Sequence, residues 1–232
     1  MNEFASNGFA ILDDFYSSAD VEKMKQVIEA AVTDKPTFRR TNDIFAIRQV
    51  LKEIPELHQL VFNQRLKQLI STAFGDRYFV SKSIYFDKPG NSNWFVAWHQ
   101  DITISVKDKI ETTGYGPWTK KQDQYAVQPP VNILQQNFTV RIHLDPTDES
   151  NGALKVLPGS HLAGIRRFEE LNGVKEDVLC AVAAGGIMLM HPLLFHASGR
   201  SSSNTPRRVL HIEFSNQELP EGLSWSEKFL YE

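Results

Sequence analysis

The 232-residue chain has one cysteine, Cys180, so it cannot close an intrachain disulfide. That excludes the disulfide-stapled scaffolds and fits a reducing compartment. Cys180 lies in the apolar run 178–182, where a buried structural thiol is expected. Nowhere does the chain approach the ~20 consecutive apolar residues of a membrane span. Its opening, Met1-Asn2-Glu3-Phe4, lacks the basic start and apolar stretch of a secretory signal, and a cytoplasmic location is expected. A large excess of one charge is missing too. Lys and Arg number 25 against 28 Asp and Glu, a net charge of −3, so there is no polyanion-binding footprint and nucleic acid is not an expected partner. No internal repeat or low-complexity tract is present. What is left is an ordinary globular composition, 41% hydrophobic and 23% charged, and a length that suits one domain over residues 1–232.

The first third reads as helical, about 17–75. Ser17 and Ser18 are N-cap candidates, with Asp20 and Glu22 in the first turn and Val21, Met24, Ile28 and Ala31 at helical spacing. A short helix follows around Leu57, Leu60 and Val61. A third, through Leu66, Leu69, Ile70 and Ala73, closes at Gly75. From about 77 to 215 the pattern changes to short strands. Phe138, Val140, Ile142 and Leu144 alternate with Asn137, Thr139, Arg141 and His143, and further candidates lie at 153–157, 178–182, 187–190 and 207–214. Turn signals separate them, among them Asn151-Gly152 and Gly185-Gly186, so a β-sandwich or barrel with the helices outside is expected. Residues 107–130 fit neither pattern. With Gly114, Gly116, Pro117, Pro129 and Pro130, and with Tyr115, Trp118 and Tyr125 interleaved, they read as a long loop that folds over something.

Chemistry concentrates in Trp98-His99-Gln100-Asp101. On a strand, residues i and i+2 point the same way, so His99 and Asp101 can grip one metal ion together. A further histidine from a distant strand would complete a 2-His-1-carboxylate face, which leaves coordination positions open for oxygen chemistry. About a hundred residues later comes His196-Ala197-Ser198-Gly199, then the strand from Arg207 to Phe214. There Arg208, Leu210, Ile212 and Phe214 share one face and Arg207, Val209, His211 and Glu213 the other. The apolar set should pack on the helices, which turns Arg207 inward, where a cation needs an anionic partner. An Arg207–Glu213 ion pair or a solvated arginine would also satisfy it.

Together these segments resemble the phytanoyl-CoA dioxygenase family, a branch of the Fe(II)/2-oxoglutarate oxygenases. The matching pieces are Trp98-His99-Gln100-Asp101, Arg141-Ile142-His143-Leu144-Asp145, Asn151-Gly152-Ala153-Leu154 leading to Pro158-Gly159-Ser160-His161, and His196-Ala197-Ser198 with Arg207. The resemblance implies a double-stranded β-helix, or jelly roll. It implies Fe(II) on His99, Asp101 and His196, with 2-oxoglutarate and O2 as cosubstrates. It also implies that Arg207, at the family's distance from His196, takes the distal carboxylate of 2-oxoglutarate with Ser198. His196 is preferred to His191 as third ligand because it opens the segment that holds Ser198 and Arg207. Gln135, Asn137 and Thr139 are candidates for hydrogen bonds to 2-oxoglutarate. Trp98, Trp118, Tyr115 and His143 are candidates for the substrate, and residues 107–130 for a lid. His161 is read as part of a structural turn. The expected activity is hydroxylation of a small organic or lipid-like molecule, with release of succinate and CO2. Relatives that halogenate lack the carboxylate ligand, and Asp101 is present. Two rivals stand beside this: a zinc-dependent hydrolase, since zinc accepts the same ligands, and a non-catalytic jelly-roll binding protein. The hydrolase has no need of the Arg207–Ser198 site, and the binding protein has no need of three intact ligands.

Overall fold

A computed structural model describes residues 2–31, 35–40, 45–121, 124–171 and 176–231. The chain opens with a short helix α1 (Asn2–Asn7) and a strand β1 (Phe9–Leu12). Helix α2 (Ser18–Ala30) follows, capped by Ser17: its side chain accepts from the Asp20 amide, and the Asp20 carboxylate accepts from the Ser17 amide. Its buried face is Val21, Met24 and Ile28. Two short strands come next, β2 (Phe38–Arg40) and β3 (Phe45–Arg48), then helices α3 (Val50–Glu53), α4 (Leu57–Val61) and α5 (Gln64–Phe74). The Asn63 side chain caps α5, and Gly75, at φ +98°, returns its amide to the carbonyls of Ile70 and Ser71.

The body of the fold is β4 (Phe79–Lys88), β5 (Val96–His99), β6 (Ile104–Val106), β7 (Trp118–Lys121) and β8 (Gln124–Val127), then, after helix α6 (Val131–Gln135), β9 (Phe138–His143), β10 (Leu154–Val156), β11 (Val178–Cys180), β12 (Ile187–Met190), β13 (His196–Ser198) and β14 (Arg207–Ser215). A large antiparallel sheet has the order β1-β12-β9-β14-β4-β3-β2, and a smaller one the order β11-β10-β13-β5. Phe138, Val140 and Ile142 of β9 and Leu210, Ile212 and Phe214 of β14 pack on the helices in one core. Met188 and Met190 of β12 pack on Leu154, Val156 and Cys180 of the small sheet in another. The small sheet therefore covers the inner face of the large one, and the fold is the expected jelly roll. Cys180 is buried, and that burial pushes its thiol up to about 12. No helix among the described residues is long and apolar enough to cross a membrane.

Two segments differ from expectation. β1, ahead of the helical stretch, and β2 and β3, within it, join the large sheet, because strands of three or four residues are too short to display a period of two. The segment 107–130 is only partly a loop. Its second half forms the hairpin β7–β8, which extends β6 into a three-stranded sheet over a cluster containing Ile104, Val127, Leu193 and Trp225.

Candidate metal centre and anion pocket

Strands β5 and β13 pair antiparallel with His99 opposite His196, and this register brings the two rings to 4.1 Å between centroids. Asp101 lies just beyond the end of β5 rather than on it. Its amide donates to the Pro192 carbonyl, and the turn is fixed by the buried Gln100 between the two ligands: its amide nitrogen donates to the Gly164 and Leu193 carbonyls, while its oxygen accepts from the Arg166 amide. The result is that His99 Nε2 stands 3.8 Å and His196 Nε2 3.7 Å from the Asp101 carboxylate. One ligand atom from each of the three lies within 4.8 Å of the others.

The donor chemistry suits a divalent metal. His99 Nδ1 lies 2.8 Å from the Ala97 carbonyl and His196 Nδ1 2.9 Å from that of Leu194. A carbonyl only accepts, so each Nδ1 carries the proton and each Nε2 presents a lone pair beside the carboxylate. Burial pushes His196 down to about 4, against the pull of Asp101, which favours the neutral imidazole that a metal requires. Burial alone would raise Asp101, but the combined field of His196, His211, Lys82 and His99 holds its carboxyl well below the usual range.

Behind Asp101 runs a buried chain of polar groups. Arg141 Nη1 donates to His211 Nδ1 at 2.9 Å, His211 Nε2 meets Glu213 at 3.1 Å, and Lys82 closes on Glu213 at 2.7 Å. Asp101, His211 and Glu213 also lie within metal-binding reach of one another. Both nitrogens of His211 are already engaged, however, and Glu213 holds two partners, so this cluster is a support for Asp101 rather than a second metal site. Glu213 pairs with Lys82, and so the Arg207–Glu213 ion pair does not form.

Arg207 is buried on the inner face of β14 and donates to the Gly152 carbonyl and, at 3.2 Å, to Ser198 Oγ. Among the described residues no carboxylate pairs with it. Burial, reinforced by Arg141, pulls its pKa down to about 9. Lys88, also buried, donates to the Gly199 carbonyl at 2.6 Å and is pulled down to about 8 by burial and by Arg207. Gly152 has φ +79°, and a Cβ there would come within 2.6 Å of the Gly199 carbonyl oxygen and 2.7 Å of the Lys88 ammonium, so the turn has room only for glycine. Arg208, on the opposite face, takes Asp145 in a two-pronged pair at 2.7 and 2.9 Å and reaches Glu29.

Of the remaining candidates, Asn137, Thr139 and His143 line the inward side of β9 and its approach. Asn137 Oδ1, Thr139 Oγ1, Arg141 Nε and His143 Nε2 are buried there without a hydrogen-bond partner. Gln135 is set apart from them: it sits on α6, before the strand begins, and is exposed. Trp98 also leaves the group, because the alternation that turns His99 inward turns Trp98 outward, onto the ring of Phe168 at 5.4 Å. Tyr115 and Trp118 pack against the cluster under the three-stranded sheet, and the Trp118 Nε1 is buried without a partner. His161 lies in a short 3-10 turn, its ring bonded to the Ala5 carbonyl and tilted against His191 with centroids 4.9 Å apart. Lys82, Lys88 and the His211–Glu213 pair are not site candidates in the sequence analysis, and Gly152 enters there only as a turn residue. The alternation in β14 already placed His211 and Glu213 inward with Arg207 and was the signal for them.

The sequence pattern of the phytanoyl-CoA dioxygenase (PhyH) family matches residues 4–209. A protein of Stutzerimonas stutzeri, described as a probable alpha-ketoglutarate-dependent hypophosphite dioxygenase, is 23% identical over 92% of this chain and 76% of its own. Among solved structures, EctD from S. alaskensis with 2-oxoglutarate and 5-hydroxyectoine superposes with a TM-score of 0.71 at 20% identity, over 92% of this chain and 74% of that one. The alpha-ketoglutarate-dependent carbocyclase SnoK of nogalamycin biosynthesis gives 0.67 at 16% identity, over 92% and 81%. These structures share the fold, and their reactions differ. The family pattern spans nearly the whole chain, His99, Asp101, His196 and Arg207 included, and the chain belongs to the phytanoyl-CoA dioxygenase family of iron- and 2-oxoglutarate-dependent oxygenases.

Proposed function

We propose that this enzyme is a hydroxylase that holds Fe(II) with His99, Asp101 and His196 and anchors the distal carboxylate of 2-oxoglutarate on Arg207 and Ser198. The observation that carries this reading is the pairing of a two-histidine, one-carboxylate cluster with a buried arginine that lacks an anion. Bound in that cluster, iron supplies the activation of O2, coupled to decarboxylation of 2-oxoglutarate to succinate and CO2, with one oxygen atom going to succinate and the other to the substrate. The protein's own part is to fix geometry. The Ala97 and Leu194 carbonyls orient the two imidazoles, Gln100 locks the turn that carries Asp101, and Gly152 with Ser198 holds the Arg207 fork in place. The hypophosphite relative favours a small polar substrate over a long acyl chain. Incubation with Fe(II) and 1-labelled 2-oxoglutarate should release labelled CO2 even without substrate, at a slow uncoupled rate. A zinc hydrolase or a binding protein would release none.

The lid reading narrows to residues 107–117, which are exposed at most positions and lead into the β7–β8 hairpin. Tyr115 and Trp118 would then sit at its hinge and keep water from the reacting centre. Tryptic cleavage after Lys107 and Lys109 is expected to slow several-fold when Mn(II) and 2-oxoglutarate are added. Equal cleavage with and without them would make the segment a fixed wall.

A further inference from the structure

Building on the proposed ligand set, we infer that the substrate carries a small anionic group, and that Arg141, with His143 beside it, receives that group next to the metal. Arg141 projects from the inner face of β9, opposite His211 in the sheet, and only 7% of it is exposed. It lies within electrostatic reach of Asp101, His196, Arg207 and His143. A guanidinium taken out of water needs an anion and several acceptors. Among the described residues Arg141 has one acceptor, His211 Nδ1, and its Nε has none.

The described carboxylates nearby are all committed elsewhere. Glu213 is held by Lys82 and His211. Asp145 belongs to Arg208 and Lys25, and Glu227 accepts from the amide and hydroxyl of Ser83. Asp101 makes no hydrogen bond to Arg141 and turns its oxygens toward the two histidines. Bound 2-oxoglutarate does not fill the need either, since one of its carboxylates goes to the metal and the other to Arg207. Among the described residues Arg141, like Lys88, therefore remains without a paired carboxylate in the loaded enzyme.

The surrounding bonds keep Arg141 in place without neutralising it. A guanidinium only donates, so His211 Nδ1 must accept, and the imidazole proton sits on Nε2 toward Glu213. The guanidinium is thus braced by a neutral ring. His143 adds a second point of contact. Its Nδ1 is 3.1 Å from the Thr147 hydroxyl, its Nε2 is buried with no partner, and burial with the nearby Arg141 and Arg207 keeps it uncharged. An oxyanion held by Arg141 favours the tautomer in which the Thr147 hydroxyl turns from the Val182 carbonyl, 3.4 Å away, to donate to His143 Nδ1, so that the Nε2–H donates to the oxyanion. Carboxylate, phosphonate and phosphorus oxyanions share the required pair of geminal oxygens.

The test uses the full chain loaded with Fe(II) and saturating 2-oxoglutarate without O2. Hypophosphite, phosphite, methylphosphonate and acetate are titrated in turn, and the charge-transfer band and heat of binding are followed. At least one anion should perturb the band of the unaltered protein. Arg141→Gln should weaken that anion about thirtyfold or more while changing 2-oxoglutarate affinity less than threefold. Arg141→Lys should recover part of the loss, and His143→Ala should weaken the anion with 2-oxoglutarate binding intact. The inference is overturned if none of the four anions perturbs the band, or if Arg141→Gln binds them as well as the unaltered protein. It is also overturned if Arg141→Gln loses 2-oxoglutarate as steeply as the anion, which would assign Arg141 to the cosubstrate. Absence of any band with 2-oxoglutarate in the unaltered protein is a different failure, that of the proposed function itself.

Discussion

His196→Ala is expected to abolish iron binding and turnover, while His191→Ala leaves iron binding largely intact. The two residues are only five apart in sequence, and the peptide between them turns sharply: the Leu194 amide donates to the His191 carbonyl, and the Leu193 amide to the His191 ring. That turn sends the rings to different places. His196 enters β13 and faces Asp101, with Nδ1 committed to a carbonyl and Nε2 at 3.7 Å from the carboxylate. His191 packs tilted against His161, and burial pulls it down to about 4, with no carboxylate beside it among the described residues. Even loss of an outer partner that orients a ligand costs about 10–100-fold in metal affinity, and removal of a ligand should cost more. Metal content after desalting against excess Fe(II), with circular dichroism to verify folding, gives the answer. Metal lost from His191→Ala and retained by His196→Ala would mean that the wrong histidine has been chosen.

Arg207→Ala should weaken 2-oxoglutarate by about thirtyfold or more, while Arg208→Ala should leave its affinity within about threefold. Loss of a two-pronged charged contact in a buried site costs roughly 2–5 kcal/mol, much of it from the stranded carboxylate, and each 1.4 kcal/mol is about tenfold. Removing Arg207 does not strand its protein partners, because Ser198 Oγ still donates to the Gly152 carbonyl at 3.0 Å. The loss therefore falls on the ligand, and iron binding survives. Arg207→Lys should recover only part, since an ammonium lacks the planar fork. Arg208→Ala has the opposite profile. It breaks the pair with Asp145 on the helix side of the sheet and should lower stability by about 1–3 kcal/mol with the ligand site intact. Anaerobic titration of 2-oxoglutarate into the Fe(II) protein, with thermal unfolding alongside, separates the two. A collapsed titration for Arg208→Ala with a normal one for Arg207→Ala would invert the facing of β14.

The facing of β14 and β9 was legible because both are central strands with a clean period of two, six or more residues long, and one face of each is buried against helices. The same rule, applied one residue earlier, would have turned Trp98 away from His99. What was not legible depends on register between distant strands. Lys82 meets Glu213 because β4 and β14 pair in one particular alignment, which slips at a bulge between Glu213 and Phe214. No local pattern in either strand encodes that slip. The β7–β8 hairpin was hidden for a different reason: Trp118-Thr119-Lys120-Lys121 does not alternate, and its strand character comes from pairing with Gln124–Val127.

The place of β1 has a kinetic consequence. Phe9 to Leu12 pair with Met190 to Ile187, so this strand has nothing to dock on until nearly the whole β region has been made. The helices, with their local contacts, can form early, but the outer row of the large sheet must wait for a partner some 180 residues away, and such distant pairings are slow to find. During that wait β12, with Met188, Leu189 and Met190 in a row, is an uncovered apolar edge. Docking of β1 shields it, and the Gly8 carbonyl, accepting from the His191 amide, ties the last-seated strand to the segment that leads into His196. Partly folded chains should therefore aggregate through β12, and the opening residues act as an internal cover for the route into the metal centre.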